Sequence, residues 1–106
     1  MLEGVLYERL SAGEGWATVR LLPESPVYAA HFPGYPITPG VTVVQMALEL
    51  AGADKVSGAH EVKFISPVFP ADGDGVRFEW TREEARLRVN VFLPDGTLCA
   101  KMSLDV

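Results

Sequence analysis

The chain has 106 residues, of which 48% are hydrophobic and 22% charged, and its formal net charge is −5. This length supports one core with little to spare, so we expect residues 1–106 to form a single domain. The acidic balance argues against nucleic acid and anionic membrane surfaces as partners. The single cysteine, Cys99, excludes an internal disulfide. The N-terminus lacks the basic and apolar runs of a signal peptide, which predicts a cytoplasmic protein.

Two strands are predicted at the start of the chain. Residues 2–10 are typical of a strand with imperfect alternation, and residues 11–15 form a turn with two glycines. Residues 16–22 predict a second strand, and residues 27–30 a short connector of a single helical turn. The core face of the second strand is predicted to consist of Ala17, Val19 and Leu21.

A loop rich in proline and glycine, residues 31–40, leads into the one segment with the pattern of a substantial helix. Thr38 is a good N-cap, Pro39 suits the first helical position, and Gly52 is a natural stop. The side chains between them are apolar nearly all round, which predicts a helix buried on every side. The helix is too short to span a bilayer, so protein must surround it.

Three polar side chains, Thr42, Gln45 and Glu49, interrupt this apolar helix. Offsets of three and four residues place them on one face, within about 60° of each other at about 100° per residue. One interpretation of this polar seam is an edge that faces solvent, and the other is the wall of an active site. Buried carboxylates and amides are costly unless they are paired, so the seam needs an explanation.

The chain after the helix has the period of strands, at residues 60–66, 76–81, 85–93 and 98–106. We expect these four to follow one another as a meander. Cys99 is predicted to lie on the face opposite the core, as an incidental thiol. With the first two strands they predict an α+β fold, a curved antiparallel sheet wrapped around the helix. Since one such unit leaves a side of the helix open, a homo-oligomer is expected.

The only histidines are His31 and His60, and no spacing clusters metal ligands, so no metal site is predicted. His60 is expected at a strand edge. No phosphate loop, dinucleotide fingerprint or serine nucleophile motif is present, which predicts no cofactor. His31 lies ahead of a helix N-terminus, whose free N–H groups could polarise a thioester or ester carbonyl. A neutral histidine there could remove a proton next to that carbonyl.

The histidine loop resembles the signature of the beta-hydroxyacyl-ACP dehydratases, which have the hotdog fold. The chain from His31 to Val41 matches the pattern His-Phe-Pro-Gly-x-Pro-x-x-Pro-Gly-Val at every fixed position. Residues 62–72 are similar to the family's third-strand segment, Val-x-Phe-x-x-Pro-Val-x-Pro-x-Asp. The resemblance covers about residues 5 to 106 and implies one long central helix within a curved antiparallel sheet.

The resemblance also implies a homodimer, or a higher oligomer, with active sites at the subunit interface. His31 corresponds to the family histidine, which acts on the alpha proton of a 3-hydroxyacyl thioester, while the N–H of Gly40 holds the thioester carbonyl. We therefore expect His31 to be catalytic and Phe32, Pro39, Gly40 and Val41 to bind substrate. The implied function is dehydration of 3-hydroxyacyl-ACP or the CoA ester in fatty-acid or related lipid or polyketide biosynthesis.

The chain departs from this family at the second catalytic residue. The family carries an acid on the partner subunit's central helix, fourteen positions after the histidine, where this chain has Gln45; Glu49 stands where the family usually has Gln. An amide cannot donate a proton as a general acid at neutral pH. The alternatives are that Glu49 takes the role, that Gln45 positions a water that transfers the proton, or that the chain binds acyl thioesters without dehydrating them.

Two other functions stay open, because one fold serves several chemistries. The chain could be a hotdog acyl-thioesterase, or a non-catalytic acyl-binding subunit paired with a chain that supplies the acid. A carrier protein is itself acidic, so its docking needs a local basic patch. The candidates for this patch are Arg82, Arg86 and Arg88 near one hairpin, together with Lys63 and Lys101.

Overall fold

The computed structural model of the chain describes residues 1–30, 34, 36–53, 55–72 and 74–106. The elements in chain order are β1 (Tyr7–Gly13), β2 (Trp16–Leu21), α1 (Pro26–Ala30), α2 (Gly40–Ala51), β3 (Gly58–Phe64), a 3-10 turn (Pro70–Asp72), β4 (Asp74–Glu83), β5 (Arg86–Phe92) and β6 (Leu98–Asp105). The six strands form one antiparallel sheet in the order β1-β2-β4-β5-β6-β3. The α+β fold with one central helix is therefore confirmed.

The predicted meander is correct for β4, β5 and β6 and wrong for β3. β3 pairs with β6 at the edge of the sheet, and β2 takes the place beside β4. The connection from β3 to β4 is too long for a hairpin, so nothing local makes these two strands neighbours. The N–H of Thr38 donates to the carbonyl of Val68 over 2.8 Å, which fixes this connection against the segment before α2.

The first strand begins later and ends later than predicted. Residues 2–6 form a turn in which the N–H groups of Val5 and Leu6 both donate to the carbonyl of Leu2, at 3.0 and 2.8 Å. Residues 11–13, predicted as turn, instead pair with β2. The turn itself is confined to residues 14 and 15, where Gly15 has a φ of 78° that favours glycine. The alternation in residues 2–6 was too imperfect to specify a strand.

The helix start also differs from the prediction. α2 begins at Gly40 after Pro39, which is the N-cap residue with φ −61° and ψ 141°, and no side chain caps this end. The Thr38 hydroxyl does not cap the helix, because it hydrogen-bonds the hydroxyl of Tyr28 at 2.8 Å. The predicted stop is confirmed, since Gly52 ends the helix in the left-handed conformation with φ 73°.

One face of α2 packs on the inner face of the sheet. The prediction that the helix is buried on every side is wrong for the single chain. Only the face on the sheet is buried, because Val41 is 77% exposed and Gln45 is exposed as well. The buried helical residues are Val43, Met46, Ala47, Leu48 and Leu50. The sheet residues that they face come from alternate positions of the strands, Ala17, Val19, Leu21, Val76, Phe78, Leu87, Val89, Val91, Ala100, Met102 and Leu104.

Cys99 lies in the core rather than on the outer face. Phe92 pairs with Leu98 and Val91 with Ala100, so Cys99 is an extra residue in β6 at a bulge, which breaks the alternation. Its thiol donates to the carbonyl of Val91 over 3.3 Å. Burial raises the pKa of the Cys99 thiol to about 11. His60 lies in the edge strand β3 and is exposed, as predicted.

Candidate active site at the start of the central helix

The first turn of α2 presents backbone donors at the protein surface. The carbonyl of Pro39 accepts the N–H groups of Thr42 and Val43 at 3.0 and 3.2 Å, and the Thr42 hydroxyl at 2.6 Å. Within the described residues, the N–H groups of Gly40 and Val41 have no acceptor. Since the helix dipole adds a partial positive charge at this end, the two donors can polarise a carbonyl placed before them.

Glycine at position 40 lets the ring of Phe64, at the end of β3, approach the helix start closely. A Cβ built on Gly40 would lie 2.7 Å from two atoms of the Phe64 ring, shorter than side chains tolerate. Phe64 itself is 50% exposed, so its ring lies beside the helix start and is partly open to solvent. The absence of a side chain at position 40 therefore leaves both the ring and the backbone N–H at the mouth of the site.

An apolar groove of about 310 Å³ adjoins this helix start. Gly40 and Val43 line one side of it, and Phe64, Ile65 and Val68 line the other. The sequence pattern did not predict Val43, Phe64, Ile65 or Val68 as site residues. Two of them could have been found from the sequence, because Phe64 and Ile65 are adjacent. Neighbouring residues of a strand point to opposite faces, so a strand with one buried face cannot bury both side chains.

Glu49, one turn beyond Gln45, is held by four donors. Its Oε2 accepts the N–H of Leu2 at 2.8 Å and the side-chain Nε2 of Gln45 at 3.1 Å. Its Oε1 accepts the Tyr7 hydroxyl at 2.9 Å and the N–H of Glu3 at 3.2 Å. Burial by itself would raise the pKa of Glu49, but the hydrogen bonds outweigh it and lower that pKa. The carboxylate is therefore ionised at neutral pH, and it fixes residues 2 and 3 against the helix.

The predicted site residues are distributed unevenly over the structure. His31 and Phe32 lie outside the described residues. Pro39 and Gly40 lie together at the helix start. Val41 points away from the core, and Gln45 lies one turn further on the same open side of α2. Two side chains of the polar seam, Gln45 and Glu49, are therefore hydrogen-bonded to each other, and Gln45 is also exposed to solvent.

In the described part of the chain, no group of three or more His, Cys, Asp or Glu side chains is placed to hold a metal ion. None of the helices described here has the length and apolar character needed to cross a bilayer.

The fold and the helix start define the class of protein, a hotdog-like α+β domain. A family model described as ApeI dehydratase, of the ApeI-like family, matches residues 9–103. Because that match spans most of the chain, the chain belongs to the ApeI-like dehydratase family. The resemblance to 3-hydroxyacyl-ACP dehydratases is thereby confirmed.

Individual relatives agree with this family. The 3-hydroxyacyl-[acyl-carrier-protein] dehydratase FabZ of Koribacter versatilis is 34% identical over 90 residues, which are 68% of this chain and 56% of that protein. The FabZ of Campylobacter curvus is 27% identical over 124 residues, 94% of this chain and 74% of that protein. The chain thus spans about half the length of the first of these relatives.

A solved structure shares the fold. It is the dehydratase heterocomplex ApeI:P from Xenorhabdus doucetiae, which matches with a TM-score of 0.67 and 21% identity over 92% of each chain. At this identity the likeness establishes the fold alone.

Proposed function

We propose that the chain is a dehydratase subunit that acts on 3-hydroxyacyl thioesters, in fatty-acid or related biosynthesis. The observation that carries the proposal is that the N–H groups of Gly40 and Val41, which have no acceptor among the described residues, lie beside an apolar groove of about 310 Å³. The thioester carbonyl accepts the N–H of Gly40, and the acyl chain lies against the groove. Membership of a dehydratase family supports the reaction type.

In this proposal His31 removes the proton from C2 of the substrate. The electrons form an enolate whose oxygen is stabilised by the helix N-terminus. The C3–O bond then breaks, the C2–C3 double bond forms, and the hydroxyl leaves as water after it takes up one proton. The remaining question is which group supplies that proton on the side where the family has an acid.

Glu49 is poorly suited to supply it. Its carboxylate already accepts four hydrogen bonds, and its lowered pKa leaves little of the protonated form at neutral pH. Of the three alternatives, these contacts favour proton transfer through a water beside Gln45, or no turnover by the chain alone. A lost general acid typically costs about 10²–10⁴ in rate, so slow dehydration is the expected outcome for a homodimer.

The second candidate function is that of an acyl-binding subunit in a complex with a different chain that supplies the acid. The occupied carboxylate of Glu49 and the amide of Gln45 support it. The structural neighbour from Xenorhabdus doucetiae is described as a heterocomplex, which is consistent with such an assembly. Adding the missing chain should then raise the rate, whereas a self-sufficient homodimer gains nothing.

We also propose that β3 pairs with β3 of a second copy. β3 is an edge strand, and Val62, Phe64 and Ile65 near its end are 39%, 50% and 47% exposed. Antiparallel pairing centred on Val62 places Glu61 opposite Lys63 of the second copy, and Lys63 opposite its Glu61. Opposite charges in direct cross-strand contact stabilise such a pair.

A charge exchange tests this pairing. Glu61→Lys and Lys63→Glu should each be monomeric alone, because each opposes like charges at both positions. An equimolar mixture of the two variants should form a heterodimer, which native mass spectrometry resolves. Homodimers of either single variant at the wild-type concentration would contradict the register.

We propose that the acyl substrate is attached to a carrier protein, which docks on basic side chains of the chain. Lys63 and Lys101 lie directly opposite each other in β3 and β6; the proposed dimer pairs Lys63 with Glu61 of the second copy, which leaves the exposed Lys101 as the cation for docking. Arg86 is less available, since it donates to Asp105 at 3.1 Å and contacts His60 at 2.7 Å. If docking uses Lys101, Lys101→Glu should lower kcat/KM for the carrier-protein substrate and leave kcat/KM for the pantetheine thioester unchanged.

The test of the reaction is crotonyl-thioester hydration, followed together with thiol release. His31→Ala should abolish hydration. His60→Gln is the matched control, because His60 is the other histidine of the chain and its ring contacts Asp105 at 2.9 Å. If His31→Ala retains the wild-type rate in both assays, the catalytic function is wrong; thiol release without hydration would indicate a thioesterase.

A further inference from the structure

The amide of Gln45 has a defined orientation. Its hydrogen bond to Oε2 of Glu49 is 3.1 Å long. An ionised carboxylate only accepts hydrogen bonds, so the nitrogen of the amide, and not its oxygen, must face Glu49. Oε1 of Gln45 therefore points elsewhere, and it has no partner within the described residues.

The Glu49 carboxylate, to which Gln45 donates, is itself held in place. Besides Gln45, the Glu49 carboxylate accepts two backbone N–H groups, from Leu2 and Glu3, and the hydroxyl of Tyr7. Tyr7 is fully buried at the start of β1. Burial and the contact with Glu49 raise the pKa of Tyr7 well above its usual range, so its hydroxyl stays a donor. A carboxylate anchored by these three groups cannot turn to follow the amide.

We propose that Glu49 is a positioning residue, which holds Gln45 so that an acceptor, Oε1, faces the substrate bound by the other subunit, where the family presents an acid. This inference rests on the proposed function. An acceptor there binds a group that carries a donor, and the C3 hydroxyl of a 3-hydroxyacyl thioester is such a group. The 2-enoyl product has only carbon-bound hydrogen at C3. The site therefore selects the hydroxyacyl form over the enoyl form.

The test compares the binding of two non-hydrolysable probes, the pantetheine amides of 3-hydroxybutyrate and crotonate, by calorimetry. One neutral hydrogen bond is expected to favour the hydroxy probe by about two- to tenfold in the wild type. In Glu49→Gln, the amide at position 49 can donate or accept, so the orientation of Gln45 is lost and the ratio should approach one.

Tyr7→Phe is the matched control. It removes one hydrogen bond from the same carboxylate but keeps the charge of Glu49 and its contact with Gln45, so the probe ratio should stay at the wild-type value. A merely structural role for Glu49 predicts that both variants weaken the two probes equally. A second readout needs no substrate: solvent exchange of the Gln45 side-chain amide protons should be slower in the wild type and in Tyr7→Phe than in Glu49→Gln.

Different outcomes would overturn the positioning role of Glu49 and the proposed dehydratase function. If the wild type binds both probes equally, or if Glu49→Gln retains the preference for the hydroxy probe, the positioning role is overturned. Equal amide-proton exchange in wild type and Glu49→Gln overturns it as well, whether or not a probe binds. If neither probe binds and His31→Ala leaves hydration unchanged, the proposed function is wrong instead.

Discussion

Gln45→Glu is the substitution from which the structure predicts the largest gain. It places a second carboxyl about 3 Å from Oε2 of Glu49, the distance at which two carboxylates cannot both ionise easily. Glu49 keeps its charge because Leu2, Glu3 and Tyr7 still donate to it. The proton therefore goes to position 45, and the pKa of the new carboxyl rises.

The magnitude follows from the role of the new group. A general acid placed at the leaving hydroxyl typically contributes about 10²–10⁴ in rate. Each unit by which its pKa rises increases the protonated fraction at neutral pH about tenfold, until the pKa reaches the working pH. We expect crotonyl-thioester hydration, and dehydration in the reverse assay, to increase by about two orders of magnitude or more.

The assay is the rate of hydration between pH 5 and 9, with two comparison variants. In Gln45→Glu with Glu49→Gln, an amide donates to the new carboxyl and lowers its pKa, so activity should fall at a lower pH than in the single variant. Gln45→Ala should show no gain. If Gln45→Glu leaves the rate unchanged while activity still depends on His31, position 45 does not face the reacting group, and the reasoning is refuted.

Three further predictions concern the surroundings of the site. Gly40→Ala should lower hydration with little loss of secondary structure, because the Phe64 ring, 2.7 Å from the new Cβ, must move at the helix start; wild-type activity would show that this movement leaves the carbonyl site open. Because the pKa of Glu49 is lowered on folding, its contribution to the free energy of unfolding is full above the unfolded value near 4.5 and is lost as pH falls through the lowered pKa. Urea unfolding should show Glu49→Gln less stable than wild type at pH 7, with a difference that shrinks at pH 3. Cys99, with its thiol buried and its pKa raised to about 11, should react with iodoacetamide at pH 8 only after unfolding; labelling of the native protein, followed by mass spectrometry, would show that β6 opens.

The local pattern was sufficient for most strands but not for their order. Alternation predicted β2, β4, β5 and β6, since each has one buried and one exposed face. The place of β3 beside β6 depends on a connection that crosses the fold, and no local period encodes it. Cys99 illustrates the same limit, because a bulge shifts the alternation by one residue and moves this side chain into the core.

For the site, the sequence by itself determined the residue types at the helix start: glycine where Phe64 packs, and an amide at position 45 with an acid one turn later. Spacing alone also placed Gln45 and Glu49 on one face of the helix. Only the tertiary structure decided what Glu49 does, since its partners Leu2, Glu3 and Tyr7 are more than 40 residues away in the chain. Hydrogen bonds of that separation depend on how residues 2–7 lie against α2, and because of them Glu49 is an anchored carboxylate and not a free acid.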